Sequence, residues 1–234
     1  TCALPISRLD CAQAFSSLCA QPDARLVEVA PAAAGCESAA LGFSLAWAMA
    51  GPSSGLIFWA SSDHGLAETG ALYAEGLAHL GLGLDRLLLT HARTQADALW
   101  AAEQALAVPS ACVLCMIAPA PKPLGLTATR RLLLAAEKHD SRCILLRFDP
   151  LSASAARLRW SVNAAPSRGA DRELGAPSFH ARLMRNRAGP IGQSWRLEWK
   201  AYERSFHVVE AALDGDLAVS APDRSAETHI RRAS

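Results

Sequence analysis

The first lysine of this 234-residue chain is Lys122. A phosphate-binding turn in the N-terminal half would have to work without an ammonium group. Long apolar runs are missing too. None reaches the roughly 18–20 residues of a membrane span, and the longest, 39–50, carries Gly42 and Ser44 and reads as a buried helix. The seven cysteines are odd in number and sit in apolar contexts without a framework spacing. That pattern predicts reduced thiols and a cytoplasmic setting. Cys112 and Cys115 have metal or redox spacing but no second pair, and positions three apart in a strand face opposite ways, so both are expected in the core. His64, His79 and His91 lack acids at ligand spacing, and no Gly-x-Ser-x-Gly nucleophile turn occurs. There is no internal repeat. The first residue is Thr1 rather than Met, and no basic-then-apolar leader follows it, which leaves room for residues upstream.

Half of the residues are hydrophobic, enough for a sizeable core in one α/β domain. Runs at 26–29, 55–60, 86–90, 111–118 and 142–148 read as strands, and the continuous apolar ones at 55–60 and 111–118 as buried strands. Helical patterns at 38–49, 66–80, 95–107 and 127–139 lie between them, with Thr127 as a candidate cap for the last. Pro119, Pro121 and Pro123 forbid regular structure after the fourth strand. Alternation of this kind means βαβ units and a parallel sheet. After Pro150 the pattern changes: 156–164, 179–186 and 194–201 alternate polar and apolar residues, as antiparallel strands with one wet face do. The expected organisation is an N-terminal segment over 1–24, a domain over 25–204 and a flexible tail over 205–234.

Residues 25–50 have the layout of a phosphate-binding unit, a strand entering a small-residue loop that opens a helix. A working loop of this type has a Lys for the outer phosphate oxygens and a Ser or Thr hydroxyl for Mg²⁺. Here Gly35 is in place, but Cys36 stands at the Lys position and Glu37 follows, before Ser38. A carboxylate there repels phosphate. The strand that should end in a metal-binding acid reads LCMIA at 114–118, with no acid. Asp63 stands where a water-activating acid would, with nothing to work on. Loss of both features predicts no ATP hydrolysis, no nucleotide cofactor and no metal.

RLVEV at 25–29, followed by the loop and helix, resembles the P-loop unit of RecA. LIFW at 56–59, LDRLL at 84–88, DALWAAEQAL at 97–106, LTATRRL at 126–132, ILLR at 144–147, ARLRW at 156–160 and SWRLEW at 194–199 resemble a narrower group, the ImuA family, over about residues 8–200. The family resemblance implies a RecA-like three-layer core, with a central mostly parallel sheet and added antiparallel strands. It further implies a role in SOS-controlled translesion synthesis and DNA-damage mutagenesis, beside an ImuB-like protein and an error-prone C-family DNA polymerase. RecA itself, DNA and further copies of the chain are the other partners it suggests. The cell-division inhibitor SulA, which acts on FtsZ, shares the stripped core from Trp59 to Arg147 and is the competing resemblance. A nucleotide-dependent or DNA-binding RecA-like protein is the remaining alternative. The paired-Trp strand, and the length beyond Arg147, favour ImuA.

Charge is unevenly spread. Residues 1–110 have 4 basic and 10 acidic side chains, whereas residues 157–204 have 10 basic and 4 acidic. The second segment is suited to an anionic partner. Its candidate contact residues are Arg157, Arg159, Arg182, Arg185, Arg187, Trp195, Arg196, Trp199 and Lys200. In Arg157-Leu-Arg159 and in Arg196 to Lys200, period two puts the basic groups on one face, and Trp160, Trp195 and Trp199 on the opposite face of their strands. Three readings stay open: Trp rings covering the core edge with Arg on the wet side, a protein interface rich in Trp and Arg, or base stacking with phosphate contacts.

Overall fold

A computed structural model describes residues 8–22, 24–50, 55–120, 122–150, 152–167 and 175–212. Nine strands form one sheet. In chain order they are β1 (Leu26–Pro31), β2 (Ile57–Ser62), β3 (Leu87–Ala92), β4 (Cys112–Ile117), β5 (Arg142–Arg147), β6 (Leu158–Ala164), β7 (Ser178–Asn186), β8 (Ser194–Lys200) and β9 (Ser205–Ala212). Their spatial order is β3-β2-β4-β5-β1-β6-β7-β8-β9. Pairings from β3 through β6 are parallel, and those from β6 to β9 are antiparallel. The strand-like runs became the parallel strands: β4 is buried at every position, whereas the run at 86–90 became β3 at the sheet edge, with Leu88 and Leu89 exposed. The alternating segments became β6, β7 and β8, with one dry face and one wet face.

The helices are α1 (Arg8–Cys19), α2 (Glu37–Met49), α3 (Asp63–Thr69), α4 (Ala74–His79), α5 (Gln95–Ala105) and α6 (Leu126–Lys138). One core lies between the sheet and α1 and α2, and a second lies between the sheet and α5 and α6. Cys112 belongs to the first and Cys115 to the second, so β4 turns the two thiols to opposite faces. Burial pushes the Cys115 thiol up to about 12, which keeps it protonated and unreactive.

The first core holds most of the aromatic side chains. Trp160 lies 5.4 Å from Trp47 and 5.6 Å from Trp195, ring centroid to centroid. Phe206 lies 5.3 Å from Phe43 and 5.0 Å from Trp199. The antiparallel strands curl over α2 far enough for the Trp199 indole N–H to donate to the Leu80 carbonyl, at 2.7 Å. Backbones meet closely there. Gly81 has φ +89°, and a Cβ on it would lie 3.0 Å from the Ala201 carbonyl oxygen, so glycine is required for both conformation and space.

Several expected boundaries move. The helix expected over 66–80 is two short ones. Ser62 accepts a hydrogen bond from the Gly65 N–H and starts α3 early, and Gly70, at φ +80°, ends it. Thr127 does not cap α6, because Gly125 holds that position. Thr129 instead donates to the Leu126 carbonyl and accepts from the Ala155 N–H. Within the expected N-terminal segment, α1 places Phe15 and Leu18 in the first core. The expected tail from residue 205 begins as β9, which pairs with β8 from Ser205 to Ala212 with one register shift between Arg196 and Leu197. Its remainder, 213–234, lies outside the described residues.

Candidate functional site

The small-residue loop connects β1 to α2. Gly35 takes φ +86°, as a tight turn into a helix requires. Other features of a phosphate cradle are turned to internal use. The Ala32 N–H donates to the Val162 carbonyl at 2.8 Å, and the Cys36 N–H to the Ala33 carbonyl at 3.2 Å. The Cys36 thiol donates to the Asn163 side-chain oxygen on β6. Beside the first turn of α2 is a cavity of 260 Å³, lined by Glu37, Ser38, Leu41, Trp59, Glu68, Met116 and Phe148 among others. Its lining has two carboxylates and no Lys, Arg or His. The field at this turn therefore disfavours a triphosphate.

The end of β4 is closed in a different way. Gln95, at the start of α5, accepts from the Ala118 N–H at 3.0 Å and donates to the Met116 carbonyl at 3.3 Å. An amide thus occupies the strand end where a metal-binding acid would work. Asp63 opens α3 directly after β2. Among the described residues, no group of three or more His, Cys, Asp or Glu side chains is placed to hold a metal ion.

A buried ion network is the feature that the sequence reading missed. Glu28, fully buried on β1, accepts from Arg147 of β5 at 2.7 Å and from Arg159 of β6 at 2.7 Å. Arg147 also makes a two-pronged contact with Asp149. Burial lowers the Arg147 pKa, but the Asp149 hydrogen bond and the charges of Glu28 and Asp149 outweigh it, so the net direction is upward. Asp149 accepts in turn from the Leu124 N–H at 2.7 Å, and Ser152 donates to the Leu124 carbonyl at 2.8 Å. The network therefore pins the loop after β4 to the loop after β5. The available signal was a lone carboxylate in an apolar strand, RLVEV, and a lone guanidinium ending another, ILLR.

The expected contact residues separate into two groups. Trp195 and Trp199 are 2% and 1% exposed, and Trp160 is fully buried. They face α1 and α2 and offer no ring to a partner, which corrects their expected place in a contact surface. The basic side chains lie on the opposite, wet face; on β7 a bulge opposite Arg159 and Trp160 brings Arg182 and Arg185, three apart, to that same face. Arg159 is committed to Glu28, and Arg157 lies 3.7 Å from Glu137. Arg185 and Arg187 both donate to the Ser154 carbonyl, at 2.8 and 3.2 Å. Burial, with Arg187 and Arg159 nearby, lowers the Arg185 pKa. Arg196 donates to the Pro166 carbonyl at 3.0 Å, and Lys200 pairs with Glu198 at 3.0 Å. Arg182 and Arg187 are the exposed members of the set.

No protein-family model matches the chain. The solved RadB recombinase superposes with a TM-score of 0.54 at 18% identity, covering 81% of this chain and 92% of that one, which shows the RecA-like α/β fold and no more. SulA from Pseudomonas aeruginosa, at 22% identity over 53% of this chain and 98% of that one, reaches a TM-score of 0.39, which carries no argument. Protein ImuA of Caulobacter vibrioides, in strains NA1000 / CB15N and ATCC 19089 / CIP 103742 / CB 15, is 33% identical over 175 residues, 68% of this chain and 70% of its own length. By that extent of identity the chain belongs to the ImuA family.

Proposed function

We propose that this chain is a non-catalytic, RecA-like subunit of an SOS-induced translesion synthesis assembly in the cytoplasm. It acts by binding an ImuB-like protein and an error-prone C-family polymerase. The observation that carries the non-catalytic half is the cavity beside α2, with two carboxylates and no cation. Internal use of the Ala32 and Cys36 amides, and closure of β4 by Gln95, support the same reading. Family membership supports the assembly role. The wet face of β6, β7 and β8 supports binding through charge, since it carries Arg196 and the exposed Arg182, with the exposed Arg187 just after β7.

Co-purification with the ImuB-like protein and the polymerase tests the proposal. Joint Arg182→Glu and Arg187→Glu reversal is expected to weaken the complex about tenfold or more, because rim charges of this kind steer association and are sensitive to salt. The unfolding midpoint should fall only slightly, because both side chains are exposed and Arg187 gives up one hydrogen bond to the Ser154 carbonyl. Unchanged affinity in a folded double variant would remove this face from the interface. RecA, single-stranded DNA and a second copy of the chain can be passed over the same immobilised protein, and the salt slope separates DNA contact from protein contact.

A further inference from the structure

A second cavity, of 660 Å³, opens away from the degenerate loop. It lies beside Ala50, at the far end of α2, whereas the loop is at the helix start. A 13-residue helix puts about 20 Å between the two. Its walls come from α1, the start of β1, the start of β5 and the β8–β9 turn. Of these, α1 lies in the expected N-terminal segment, and Ser205 and Phe206 lie in the expected tail.

The lining has two distinct parts. Phe15 and Phe206, edge to face at 5.5 Å, form an apolar floor with Cys19, Ala20 and Ala50. Around it stand three guanidiniums, Arg25, Arg142 and Arg204, against one carboxylate, Asp140. Asp140 is already paired with Arg25. Arg142 is held in place by donating to the Ala48 carbonyl at 2.9 Å. Arg204 is exposed on its turn, at φ +50°, and makes no hydrogen bond or ion pair among the described residues. The cavity is of a size that encloses a small organic molecule. Its apolar floor under an excess of positive charge selects for one chemical class.

We infer that this cavity binds a small organic anion, an aromatic or aliphatic body bearing a carboxylate, sulfonate or phosphate group. The body packs on Phe206, Cys19 and Ala20, with the buried Phe15 ring beneath them, and the anionic group meets Arg204 and Arg142. Both halves are needed: inorganic phosphate has no body to bury, and a neutral hydrocarbon makes no use of the guanidiniums. The site is independent of nucleotide chemistry and of the proposed assembly role, and its test is separate from theirs.

The probe is 1-anilinonaphthalene-8-sulfonate, titrated into the intact folded chain and followed by its fluorescence. Saturable binding at one site is expected, with displacement by decanoate and none by inorganic phosphate. Arg204→Glu is expected to weaken it about tenfold or more, the equivalent of about 1.4 kcal/mol, and Arg204→Gln by less. Arg93→Glu, on a different surface, should leave it unchanged. The uncharged analogue N-phenyl-1-naphthylamine should bind about tenfold more weakly than the sulfonate. Absence of saturable binding, equal affinity in a folded Arg204→Glu chain, or equal binding of the neutral analogue would each overturn the assignment.

Discussion

Glu28→Gln is expected to lower the unfolding free energy by about 3–5 kcal/mol, the usual cost of removing one partner from a buried charge network. Glu28 is fully buried and is the carboxylate on which two guanidiniums converge from the two neighbouring strands. With an amide in its place, Arg147 keeps Asp149, but Arg159 loses its carboxylate partner and the cluster carries uncompensated positive charge in low dielectric. Arg185 and Arg187 stand close by and add to it. Urea unfolding reads the change as a fall in midpoint with the slope preserved. A loss below about 1 kcal/mol, the scale of an exposed pair, would mean that water reaches the network. The variant should also loosen the loops after β4 and β5, because Asp149 and Ser152 hold Leu124 between them.

The second large effect concerns the aromatic cluster. Trp160→Ala is expected to cost about 3–5 kcal/mol, as for other large aromatic residues removed from a core. Trp160 touches Phe15, Phe43, Trp47 and Trp195 at ring distances of 5.4–5.9 Å. Its indole N–H is buried without a hydrogen-bond partner among the described residues, so Trp160→Phe should lose far less than the alanine variant. Trp199 differs, because its N–H is bonded to the Leu80 carbonyl, and there the phenylalanine variant should cost about 1 kcal/mol beyond the packing change. If Trp160→Ala left stability intact, the ring would have to lie at the surface, and base stacking would return as an explanation for these residues.

The parallel half of the fold was legible because a strand covered on both faces must be apolar throughout, and GLIFWA and ACVLCMIA announce that directly. The antiparallel half was legible in its period, which put Arg and Trp on opposite faces. Which face is dry was not legible, since α1 and α2 decide it and they are far away in the chain. β9 was missed because its pairing partner β8, not its own composition, makes it a strand. α1 was missed because burial of Phe15 depends on contacts with Trp160, Trp195 and Phe206. The single helix expected after β2 was divided by Gly70, whose positive φ is a local event inside an otherwise helical pattern. The Glu28 network was hidden by distance: its arginine partners lie 119 and 131 residues away in the chain. At the degenerate loop, by contrast, Cys36 and Glu37 were readable by position alone, because that chemistry depends on consecutive residues.

Isothermal titration of the chain with ATP and Mg²⁺, followed by a phosphate-release assay, tests the central claim most directly. An acidic turn without a cation should give no saturable heat and no turnover. Micromolar, magnesium-dependent binding next to Gly35, abolished by bulky substitution of Ser38 and accompanied by released phosphate, would contradict it.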